Sequence, residues 1–139
     1  MSLINVYLRG SDIVVVPTAG GGGLYRDIPP VLVVAPSAEA VRGAIIEARA
    51  AASRTDLPVQ TKRWVVLERL RLKSNKAFYV DVTCCTVHDD EQGRMIVSRY
   101  RPAPDGQGFE PEGTETVVDV DTVAPTVLDV LQSSTRFPK

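Results

Sequence analysis

With 139 residues, 44% hydrophobic and 24% charged, the chain has the proportions of one globular domain with a core of ordinary size, so a single domain over 1–139 is expected. Its longest apolar runs, such as Ile13 to Val16 and Val31 to Ala35, are far short of the ~20 residues that cross a bilayer, and no basic segment followed by an apolar stretch opens the chain; the expectation is a cytoplasmic protein with no membrane partner. A formal net charge of −1 with three Phe, one Trp and four Tyr supplies neither the basic balance nor the stacking platforms of a nucleic-acid coat, so no nucleic-acid partner is expected.

In chain order, Ile4 to Leu8, Ile13 to Pro17 and Val31 to Ala35 read as strands, parted by Arg9-Gly10-Ser11-Asp12 and by the glycine run Gly20 to Gly23, both good turn chemistry. The second and third are apolar on both parities, which places them inside a sheet covered on both faces or at least well buried. Pro36-Ser37 then opens a helix, with Ser37 as cap, Glu39 in the first turn and Val41, Ile45, Ala48 and Ala52 on one face; it should end near Ser53 to Asp56. "WVVLERLRL" from Trp64 fits a short helix with Val65, Val66 and Leu70 inward, although its later half also alternates like a strand.

Phe78, Val80, Val82 and Cys84 alternate with Tyr79, Asp81 and Thr83, the pattern of a strand reaching about His88. Asp89 to Gly93 forms a polar turn and Met95 to Arg101 the return strand, ended by Pro102 and Pro104. After a Pro/Gly-rich loop over 102–113, "TETVVDV" is a further strand and Asp121 can cap a last helix buried through Val123, Val127, Val130 and Leu131. The tail "STRFPK" is expected to fray. The sum is an α+β chain: a mixed, mainly antiparallel sheet of about six strands with two main helices packed on it.

Several chemistries fall away on the same residues. A phosphate loop needs glycines that lead into a helix, with Lys and a hydroxyl in the Walker pattern; here Ile28-Pro29-Pro30 directs the chain into another strand, and no Gly-Lys-Ser/Thr follows. Cys84 and His88 would share a strand face about 13 Å apart, too far to ligate one ion, and Cys85 points the other way. Adjacent α-carbons also sit closer than a relaxed disulfide prefers. Both thiols therefore read as small buried hydrophobes in a reducing compartment. His88 is the single histidine, so no multi-histidine metal site is expected, and no cofactor, metal or catalytic residue is assigned. Asp89-Asp90 and Glu110/Glu112 lie in loops where solvent keeps them ionised, and read as a charged rim.

Charge is segregated: residues 42 to 76 hold nine Lys/Arg against three Asp/Glu, and residues 81 to 129 hold three against eleven. The acidic half suits a cationic protein partner, and equally suits a merely solvated surface.

Three stretches carry a family resemblance. "VVVPTAGGGGLYRDIPPV" resembles the N-terminal signature of the immunity proteins of contact-dependent growth inhibition (CDI): a strand ending Pro-Thr-Ala, a glycine turn, an aromatic, an acid and Pro-Val. Here these are Pro17, Thr18, Ala19, Gly23, Tyr25, Asp27, Pro30 and Val31. "LKSNKAF" is similar to the family's Lys-Ser-Trp-Lys-Ala-Phe segment through Lys73, Ser74, Lys76, Ala77 and Phe78, with Asn75 in place of tryptophan. "SRYRPAPDGQGFEPEGTETV" resembles the family's tyrosine-bearing strand, Gly-rich turn and final loop.

The resemblance implies a cytoplasmic, non-enzymatic antitoxin that binds the C-terminal toxin domain of a CDI effector, commonly a nuclease, and occludes its active site. From charge and loop placement, Asp89, Asp90, Glu91, Asp105, Glu110 and Glu112 are the expected toxin contacts. A competing reading is a small enzyme or small-molecule-binding domain that uses a groove beside the glycine turn with Tyr25, Asp27 and Cys85; a third is a structural subunit with no toxin.

Overall fold

The apolar runs near the N-terminus become the centre of a seven-stranded sheet in the computed structural model, which describes residues 3–21, 24–52, 64–106 and 108–137. Strands β1 (Leu3–Arg9) and β2 (Asp12–Gly21) form a hairpin that turns at Gly10, where φ is +61°, a left-handed angle that costs glycine little because it has no Cβ. Strands β3 (Leu24–Asp27) and β4 (Leu32–Val34) both pair with β2. Strands β5 (Val82–Asp89), β6 (Met95–Pro102) and β7 (Phe109–Val118) continue from β1. The order is β3-β2-β1-β5-β6-β7 with β4 also against β2, and every pairing is antiparallel.

Alternation along the central strands sends side chains to two separate cores. Ile4, Val6, Leu8, Ile13, Val15, Cys85, Val87 and Val97 face helices α1 (Ala38–Ala52) and α4 (Val123–Ser133). Tyr7, Val14, Val16, Val82 and Cys84 face the other way, under helices α2 (Val65–Leu70) and α3 (Asn75–Phe78) and the C-terminal Phe137. Ile13 to Val16 are all buried, as a run apolar on both parities requires. The third run is different: Leu32, Val33 and Val34 are only half-buried, because β4 has a neighbour on one side alone.

Local chemistry explains the helices. Ser37 Oγ accepts the Ala40 N–H at 3.3 Å and starts α1, whose Val41, Ala44, Ile45 and Ala48 are buried; its expected end over 53–56 lies outside the described residues. Helix α2 closes with Arg71 in the left-handed region, with the Leu72 and Arg71 N–H groups returning to Leu67 O and Glu68 O, a Schellman-type closure made here without glycine. At the end of α4, where the last carbonyls lack intrahelical donors, Ser133 Oγ donates to Asp129 O at 2.7 Å, Ser134 Oγ to Val130 O, and Thr83 Oγ of β5 to Leu131 O at 2.9 Å. Thr83 thereby ties α4 to the centre of the sheet.

Five expectations are corrected. The glycine run is not only a turn: β2 continues through Gly20 and Gly21, which pair with Tyr25 and Leu24 of β3, a strand the sequence did not announce. Phe78 and Val80 are not strand residues; Ser74 Oγ accepts the Ala77 N–H and caps α3, and β5 begins only at Val82, after Asp81 at φ +53°. The loop over 102–113 is shorter, since β7 starts at Phe109. Asp121 does not cap α4; the Asp119 carboxylate instead accepts the N–H groups of Asp121 and Thr122. The tail is pinned as far as Phe137, whose N–H donates to Val82 O at 3.0 Å, while Arg136 pairs with Asp81 at 3.0 Å.

Candidate partner-binding surface

Antiparallel register separates the six acids into two groups. The β5–β6 turn lies at one end of the sheet and the β6–β7 loop at the other, with all of β6 between them; its eight residues span roughly 25 Å. Asp89, Asp90 and Glu91 sit at the first end. Asp105 is in the loop at the second, Glu110 is opposite Arg101 near the start of β7, and Glu112 follows along that edge strand.

Most of these carboxylates are occupied. Asp89 pairs with Arg49 of α1 at 2.8 Å. Asp90 accepts the N–H groups of Gln92 and Arg94 and pairs with the Arg94 guanidinium at 2.8 Å, so it locks its own turn. Slight desolvation works against its charged form, but the bonds from Arg94 and Gln92 outweigh it and hold the carboxyl below the usual range. Glu110 pairs with Arg101 at 3.0 Å, and Glu112 stands 3.9 Å from Arg99. Exposed ion pairs of this kind add little to stability. Arg69, Arg71, Lys73 and Lys76 are exposed and have no carboxylate partner among the described residues. These four cations belong to the basic segment, which the sequence left without a role.

The residues of the two short motifs are mostly structural. Thr18 Oγ donates to Leu3 O at 2.8 Å across β1 and β2. Pro17 O accepts the Ile28 N–H at 2.9 Å, holding the chain as it leaves β3 toward the half-buried Pro30. Asp27 accepts Asn5 Nδ2 at 2.7 Å and the Trp64 indole N–H, so it joins β3 to β1 and to the residue before α2. Burial pushes the Asp27 carboxyl up, against the lowering effect of those two donors. Phe78 is fully buried and packs edge-on against Tyr7 and Trp64. Ser74 caps α3, and Lys73 and Lys76 project to solvent. Gly23 lies outside the described residues, and Tyr25 is placed only as a β3 residue paired with Gly20.

Asp27 and Cys85, expected together in a groove with Tyr25, do not meet. Cys85 lies under α1 and α4, whereas Asp27 bonds Trp64, which packs on the opposite core. Burial raises both thiols well above their ordinary range, Cys84 with an added push from its neighbour Cys85. Neither is a nucleophile in the folded protein.

One concavity was invisible in the sequence. At the sheet end that carries the β6–β7 loop, a cavity of 680 Å³ is walled by Asn75 and Lys76 of α3, by the aromatic rings of Tyr79 and Phe137, and by Pro102 to Pro104 and Gly106 of the loop. Its walls come from three stretches remote in sequence, joined because Phe137 is hydrogen-bonded to the start of β5 and stacks on Tyr79 at 5.1 Å.

No helix among the described residues is long and apolar enough to cross a membrane. No protein-family profile matches the sequence, and no curated protein matches it. Solved structures do. A protein of unknown function from Neisseria meningitidis has a TM-score of 0.67 at 13% identity, covering 94% of this chain and 91% of that one. A chain of the CdiA-CT/CdiI toxin and immunity complex from Yersinia pseudotuberculosis has a TM-score of 0.65 at 16% identity, covering 95% of each. Over almost its whole length, this chain has the fold found in a CDI toxin and immunity complex.

Proposed function

We propose that this chain is a CDI immunity protein: a non-enzymatic, cytoplasmic antitoxin that binds the C-terminal toxin domain of its cognate effector, a nuclease on this reading, and covers the active site. The observation that carries the reading is the fold likeness to a chain of the Yersinia complex, spanning 95% of both chains. Three sequence motifs point to the same family independently of the fold. Occlusion needs no reactive group, which accords with thiols held protonated under the two helix layers.

The contact is assigned to the end of the sheet that carries the β6–β7 loop, through Asp105, Glu110 and Glu112. Asp89, Asp90 and Glu91 are left to the opposite end, where Asp90 serves its own turn. A nuclease is cationic where it grips phosphates, and acids on an inhibitor's rim raise the association rate and its sensitivity to salt. The test is to express the toxin-like domain encoded immediately upstream, where one exists, with and without this chain, and to follow association by stopped flow over a range of salt concentrations. Rescue of growth is expected. Replacing Glu110 and Glu112 together by Gln should lower the association rate and flatten its salt dependence, while Glu91→Gln leaves both unchanged. Absence of rescue would reject the immunity reading; rescue with unchanged salt dependence would reject only the contact assignment.

A further inference from the structure

We infer that the cavity between α3 and the β6–β7 loop is an anchor pocket for a protein partner: it takes one apolar side chain, aromatic or aliphatic, whose neighbour in the partner's sequence is acidic. Three observations support this. The first is size and lining. At 680 Å³, with Tyr79, Phe137, Pro102 and Pro104 as walls, the space is in the range of pockets that bury a large apolar group. Buried apolar anchors of this kind dominate protein interfaces. The second is that the walls are already in place in the native fold. Phe137 is held by its backbone bond to Val82 and by the adjacent Arg136–Asp81 ion pair. Tyr79 lies between Trp64 and Phe137, stacked on both, and α3 is capped by Ser74. A preformed wall avoids the ordering cost that weakens association.

The third is charge. Lys76 lines the pocket on the helix side, Arg71 and Lys73 precede it, and none of the three has a carboxylate partner among the described residues. The loop side carries Asp105. Among the described residues that line the pocket, Lys76 is the charged side chain, so the complementary neighbour of the anchor is a carboxylate on the α3 side. An enclosed small-molecule site fits less well, since among the lining side chains the polar groups are the amide of Asn75, the ammonium of Lys76 and the Tyr79 hydroxyl, without a converging set of donors and acceptors.

The inference rests on the immunity reading only for the identity of the partner, and the test separates the two. Amide chemical shifts of the full chain are followed while acetyl-Trp-Glu-amide or acetyl-Trp-Lys-amide is added at millimolar concentration. Saturable shifts are expected at residues 75–79 and at Ala103, Asp105 and Gly106, with the Glu peptide several-fold tighter. Asn75→Trp, at an exposed position on the pocket wall, should abolish them, and Lys76→Glu should reverse the preference. The absence of saturable shifts, shifts elsewhere, or equal affinity for both peptides would overturn the inference. In the toxin assay, Asn75→Trp should weaken binding about 30-fold, the size of an interface hot spot. Undiminished binding by that variant would sink the pocket and leave the immunity reading standing. Failure of the unaltered chain to rescue would remove the toxin and leave the peptide result to decide the pocket.

Discussion

Asp27 has both carboxylate oxygens taken by side chains remote in sequence, Asn5 Nδ2 on one and the Trp64 indole on the other. Burial nevertheless raises its pKa above the ordinary value, so the folded chain holds the proton more readily than the unfolded chain. For a group shifted in that direction, the stabilisation is complete below the unfolded pKa, near 3.9, and is lost as pH rises through the higher folded value. Asp27→Asn removes this titration. The stability of the natural chain relative to that variant, from urea midpoints, should therefore fall as pH rises above the unfolded pKa; relative stability that grows with pH would mean the two donors, not desolvation, set the carboxyl's behaviour. Asp27→Ala at neutral pH leaves two part-buried donors unmatched and should cost about 1–3 kcal/mol. The motif in which Asp27 occurs was readable, but its partner was not: nothing local in Asp27 or Trp64 says that 37 residues apart they meet.

Among the elements, those with one strong local signal were legible and those made by pairing were not. The Ser37 cap and the Val41/Ile45/Ala48 spacing predict α1, and the structure has it. Strand β3 had no comparable signal, because "LYRD" is short and polar and becomes a strand only by pairing with Thr18 to Gly21. The alternation from Phe78 to Cys84 was misleading for a physical reason: Phe78 and Cys84 do enter the same core, but Phe78 arrives there from a capped helical turn. The acidic set was legible in composition but not in placement, since hairpin register alone decides that Glu91 and Asp105 lie at opposite ends. At this scale the Thr83–Leu131 bond is the most consequential tie, because it satisfies an orphan helix carbonyl from within the sheet. Thr83→Val keeps the shape and deletes the donor. It should cost about 1–2 kcal/mol in equilibrium unfolding, with exchange protection lost first in the last turn of α4; an unchanged midpoint would show that water replaces the hydroxyl.

For the whole molecule, the sheet is shared by two layers of unequal build. Helix α1 has 15 residues and α4 has 11, and both pack on one face. Among the described residues, the other face is covered by α2 with six residues, α3 with four, and the tail at Phe137. Local opening takes the least free energy where the cover is short and its own helical bonds are few. Cys84 and Cys85, adjacent on β5, face the thin and the thick layer respectively. Both are fully buried or nearly so, at 3% and 0% exposure, and both pKa values are raised by that burial, so neither reacts until its layer opens. Each thiol is then a reporter for one layer. With Cys84 alone (Cys85→Ala) or Cys85 alone (Cys84→Ala), labelling by a disulfide reagent in native buffer should be faster at Cys84, and its rate should respond only weakly to denaturant, as expected for a small opening. Cys85 should label with the denaturant dependence of global unfolding. Equal rates would mean that the two layers open together and that the sheet has one cooperative core. A slower Cys84 would place the rigid layer on the side of the anchor pocket, with the helices α1 and α4 as the mobile half.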